Sequence, residues 1–131
     1  MPSRYVLTLS LLPKEEARVT EAQKEKLKER KLVTLLTDGW EDILRRSVYG
    51  TVAAEVGARP IVLGLSDLTG RRATAENIVD VIELSMKKMS LDASQVIALF
   101  TDNPTVMQAV RRQMETKYRH ILVCALNLII F

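Results

Sequence analysis

Hydrophobic and polar positions change their period several times along the chain, and each change marks an element. Residues Pro13 to Lys31 are dense in charge with only a weak apolar stripe. Glu15 and Glu16 stand near the start and Lys26, Lys28, Arg30 and Lys31 near the end, the polarity that a helix dipole favours. Within "KEKLKERK", the interleaved Glu25 and Glu29 point to ion pairing on a solvated helix face rather than to a DNA-contact or nuclear-import patch. The next run, "LVTLLT", is too short for a helix and rich in β-formers, so it predicts a buried strand that finishes on Asp38. Ser47 to Val56 and Arg59 to Leu65 are two more strands, joined through Gly57 and Ala58 as a hairpin. A turn follows at "SDLTGRR", where Gly70 can take positive φ. Thr74 is then placed to cap a helix on which Ile78, Val81, Ile82, Met86 and Met89 recur at three- and four-residue spacing. A second buried run, "QVIALFT", again ends on a carboxylate, Asp102. Asn103 and Pro104 mark the start of another helix with Met107, Val110, Met114 and Tyr118 on one face. The methionines read as core filling. "HILVCALNLIIF" closes the chain as a strand running into a helix.

Three consecutive strands followed by alternation with helices predict a mixed α/β sheet, an antiparallel three-strand meander on one side and parallel βαβ strands on the other, with flanking helices. The first and fourth strands become neighbours, which is the core of the ribonuclease H-like fold. In such sheets ligands sit at the carboxyl ends of the strands near the topological switch point, where Asp38 and Asp102 both lie. With neighbouring strands about 4.8 Å apart, the two carboxylates can share one or two divalent cations. Without a cation they repel, and one must hold a proton.

Composition narrows the picture. The chain has 131 residues, 47% of them hydrophobic, enough for one core, so a single domain over residues 1–131 is expected, with an N-terminal charged helix over 14–31 and the sheet-containing core over 32–131. The formal net charge of +3 permits a nucleic-acid partner without arguing for one. A lone cysteine excludes an internal disulfide framework and suits a reducing compartment. "YVLTLSLL" is too short and too interrupted by Thr8 and Ser10 for a signal sequence, and no apolar run reaches the roughly 18 residues of a membrane span. The expectation is an intracellular chain with no membrane partner.

"TLLTDGWED", "VIALFTDNPTVMQAVRR" and the closing "ALNLI" resemble the central region of hAT-superfamily transposases, in their order and in the Asp-Gly-Trp and Thr-Asp-Asn character of the first two segments. "PSRYVLTLSLL" with its following charged helix is similar to the segment preceding that core. The resemblance implies that Asp38 and Asp102 are catalytic metal ligands for Mg²⁺ or Mn²⁺, in a triad completed by a distant glutamate. Two such ions would activate the attacking hydroxyl and stabilise the leaving oxygen. The family's glutamate lies beyond a large helical insertion, and this chain stops at Phe131, so a truncated, catalytically incomplete relative is expected. Glu41, Asp42 and Asp67 are local carboxylates that no spacing places at the metal. The family's Cys-x-x-His motif is broken here, with Ile121 and Cys124 at the aligned positions. A zinc site at His120 and Cys124 would need two more ligands, and a lone cysteine in an apolar run reads as packed core.

The resemblance also implies DNA as a partner and a nuclear location. Candidate DNA contacts are Trp40, Arg45 and Arg46, weighed against packing for the tryptophan and solvation for the arginines; Arg71, Arg72, Arg111 and Arg112 are further basic positions. The rival expectation is a domesticated, non-catalytic module that forms a homodimer through the apolar tail, since an exposed "ILVCALNLIIF" calls for a covering partner. A decaying transposon remnant is the third.

Overall fold

The computed structural model describes Met1 and residues 3–125. The chain opens on a nearly continuous helix made of α1 (Arg4–Val6), a π-helical stretch (Leu7–Leu11) and α2 (Leu12–Lys28). Helix therefore begins well before Pro13, where the charge pattern alone placed it. In a regular α-helix the Pro13 ring would collide with the carbonyl four residues back, and its nitrogen has no hydrogen to donate. The wider π turn just ahead of it, closed by the Leu12 N–H on the Leu7 carbonyl, accommodates the ring. Only Leu27 is buried on α2, and Glu25 pairs with Lys28 at 2.7 Å on the solvated face.

Five strands follow: β1 (Val33–Glu41), β2 (Ser47–Ala54), β3 (Ile61–Asp67), β4 (Val96–Thr101) and β5 (Leu122–Ala125). They form one sheet in the order β3-β2-β1-β4-β5, with β1, β2 and β3 antiparallel and β4 and β5 parallel to β1. This is the mixed α/β, ribonuclease H-like arrangement that the element order predicts. Helices α3 (Ala75–Lys88) and α4 (Thr105–Lys117) are the two crossovers. Thr74 caps α3 by accepting the Asn77 N–H at 3.3 Å. Pro104 is the N-cap of α4, whose first helical residue is Thr105, so the proline sits one position earlier relative to the helix than expected.

β1 also runs further than the pattern indicates. Its parallel partner β4 stops pairing at Thr37↔Thr101, but its antiparallel partner β2 continues from Asp38↔Gly50 to Glu41↔Ser47. Asp38 thus lies inside a strand, at the place where that strand loses one of its two neighbours. The hydrophobic run ends there because one side of the sheet ends there.

The core lies between one sheet face and the two crossover helices. Val33 and Leu35 of β1, Leu63 of β3 and Leu99 of β4 pack with Ile78, Ile82 and Met86 of α3 and Met107, Val110 and Met114 of α4. Each such side chain contributes on the order of 1.5–3 kcal/mol by leaving water. The opposite face has no such cover among the described residues: Leu32, Leu36, Val56, Ile97 and Phe100 line a shallow apolar groove on it. No described helix is long and apolar enough to cross a membrane. Residues 126–131, which carry most of the apolar tail and its leucine-asparagine motif, lie outside the described residues.

Candidate functional site

Alternation along β1 sends Val33, Leu35 and Thr37 into the core and Thr34, Leu36 and Asp38 to the other face, leaving Asp38 exposed. The parallel register sets Leu36 beside Phe100 and Thr37 beside Thr101. Asp38 follows Thr37 within β1 and Asp102 follows the last residue of β4, so the two carboxylates predicted from the sequence are brought together. Burial first, and then the charge of nearby Asp38, push the Asp102 carboxyl above the usual carboxylate range. Its Oδ1 is buried and has no hydrogen-bond partner. Asp38 Oδ1 accepts the Gly39 N–H at 2.8 Å. Two ionised carboxylates have nothing to donate to each other, so the orphaned oxygen calls for a shared proton or a cation.

Beneath the pair, three buried threonines lie abreast: Thr51 on β2, Thr37 on β1 and Thr101 on β4. The Thr37 and Thr51 hydroxyls are 3.3 Å apart. The Thr101 hydroxyl donates to the Asp102 carbonyl at 2.9 Å and accepts from Arg111 at 2.8 Å. This polar rung closes the apolar core under the acids. Its sequence signal is the repeated Thr-Asp pair at 37–38 and 101–102, with Thr51 visible only once the register is known. Tyr49, opposite Gly39, is a further neighbour: burial and then the Asp102 charge raise its phenol pKa. A Cβ at Gly39 would collide with the Tyr49 ring, so glycine is what lets that ring cross β1.

Trp40 shares the outer face with Asp38. Its ring lies over Gly50, where a Cβ would stand 3.4 Å from it, and the residue is 47% exposed. The side chain is therefore both anchored and accessible. Arg45 takes positive φ in the β1–β2 turn, and Arg46 is held by Asp42, Nε to Oδ2 at 2.7 Å. Asp42 also accepts the backbone N–H groups of Leu44 and Arg46, and Asp67 accepts both the N–H and the hydroxyl of Thr69. These two acids are engaged in their own turns. No third His, Cys, Asp or Glu joins a metal-sized cluster among the described residues. His120 stands two residues before β5, with Nε2 2.8 Å from the carbonyl of Ala93, which precedes β4. Cys124, on β5, pairs in register with Phe100.

No family model and no curated protein matches this sequence. Among solved structures the chain is similar to a protein of unknown function with an actin-like ATPase fold from Bacteroides thetaiotaomicron VPI-5482, at 8% identity over 81% of this chain and 37% of that one, TM-score 0.47. It is also similar to the catalytic core domain of BIV integrase, at 16% identity over 74% of this chain and 56% of that one, TM-score 0.44. The chain thus spans less than two thirds of either.

Proposed function

We propose that the chain is a transposase-derived, ribonuclease H-like domain of the hAT type that keeps two acids, Asp38 and Asp102, of a metal-dependent DNA strand-transfer site. The observation that carries the reading is the buried, unpartnered Asp102 Oδ1 beside Asp38. An oxygen left without water or a donor is costly in a folded protein unless a ligand completes it. The donor set suits Mg²⁺ or Mn²⁺, hard cations that take oxygen ligands. When bound, such an ion polarises phosphoryl oxygens and lowers the pKa of an attacking hydroxyl.

The chain's own residues hold the two carboxylates side by side, keep water from one oxygen of Asp102 and place the half-exposed Trp40 on the same face as Asp38. That tryptophan, with Arg45 and Arg46 on the adjoining turn, forms the surface we assign to DNA. Two carboxylates hold a divalent ion without completing its shell, so the chain alone binds metal but does not transfer strands. Calorimetric titration with Mn²⁺ tests this: binding is expected in the natural chain and absent in Asp38→Ala/Asp102→Ala. Equal heats in both proteins would overturn it.

The apolar groove at Leu32, Leu36, Val56, Ile97 and Phe100, uncovered among the described residues, favours a second reading, in which the fold serves as a homodimerising scaffold whose apolar tail, from Leu122 onward, completes the contact. The groove adjoins the acid pair, since Leu36 and Phe100 in its lining stand two residues before Asp38 and Asp102.

A further inference from the structure

We propose that Arg111 is the positioning residue of the acid pair. Its guanidinium fixes the strand-end turn Thr101–Asn103, so that Asp102 is presented beside Asp38. The inference rests on the metal-site reading above and deepens it. Arg111 projects from α4, next to buried Val110 and one turn beyond buried Met107, so its base is anchored in the core. From there Nη1 donates to the Thr101 hydroxyl at 2.8 Å and to the Asp102 carbonyl at 2.9 Å. Nη2 donates to Asn103 Oδ1 at 3.0 Å.

One planar fork therefore grips three consecutive residues, with Asp102 in the middle. None of its three acceptors is a carboxylate, so the Asp102 side chain is left free for a cation while its backbone is held. The Asp102 carbonyl accepts from the Thr101 hydroxyl as well, which ties the grip to the threonine rung below. Lysine cannot reproduce it, because a single ammonium lacks the rigid fork that meets several acceptors in one plane. Partners that orient a metal ligand commonly account for 10–100-fold in affinity.

The test uses the full chain and two measurements. The first is the Mn²⁺ affinity of the natural protein, Arg111→Lys, Arg111→Met and Asp38→Ala/Asp102→Ala. The second is amide hydrogen exchange at Asp102 and Asn103 in the metal-free proteins. Binding in both Arg111 variants is expected to weaken about 10–100-fold, with faster exchange confined to residues 101–103 while the amides of β1 and α3 keep their protection. Unchanged exchange at Asp102 and Asn103 would overturn the proposal, and so would a lowered melting temperature with unchanged Mn²⁺ affinity. If the natural chain titrates like Asp38→Ala/Asp102→Ala, the metal-site reading fails; local exchange then still decides whether Arg111 positions Asp102.

Discussion

At the residue scale, Asp102 carries a cost that the rest of the site is arranged around. Its carboxyl is raised by burial and by Asp38. The folded state therefore holds the proton more tightly than the unfolded chain, and stability falls as pH rises from the ordinary carboxylate range through the raised value. Above that raised value the metal-free protein bears the full penalty. Asp102→Asn removes the charge while keeping the shape, so its melting temperature at pH 7 in a chelator is expected to exceed that of the natural chain, with the gap closing as the pH is lowered towards 4. Scanning calorimetry of the two proteins side by side checks this, and a variant melting lower at pH 7 would contradict it. Both acids were legible in the sequence because each ends a hydrophobic run. Tyr49 and Arg111 were not legible as members of the site, because their approach depends on register and on helix rotation, which hydrophobic period does not encode.

At the element scale, the amphipathic helices α3 and α4 and the first four strands follow from period alone, because each buries one face and the pattern is a record of that burial. The N-terminal helix was read short for the opposite reason. Residues 4–12 are apolar on most sides and precede a proline, and they bury nothing that would impose a stripe. That isolation has an outcome in stability. Among the described residues, removing residues 1–12 eliminates no buried side chain, so the melting temperature is expected to move by no more than about 1–2 °C, as for surface changes in a domain of this size. Thermal unfolding followed by circular dichroism measures it. A large drop would show that the apolar turns of this helix are packed in solution.

At the scale of the whole molecule, the sheet is two-sided and, among the described residues, only one side has its cover. The groove beside Val56 and Ile97 is the kind of surface that a second copy fills. Light scattering is expected to give a dimer that deletion of Leu126 to Phe131 disrupts, and a monomer at all concentrations would remove the scaffold reading. The strand order bears on how the chain reaches this state. β1, β2 and β3 pair through short turns, whereas Thr37 and Thr101 meet across a loop of roughly sixty residues, the costlier closure. The acid pair therefore comes into being only when the seam of the sheet most distant in sequence is zipped. Mutual repulsion of the two carboxylates acts on that seam, so a cation held there would work as a latch, slowing the molecule's opening more than it would hasten its assembly.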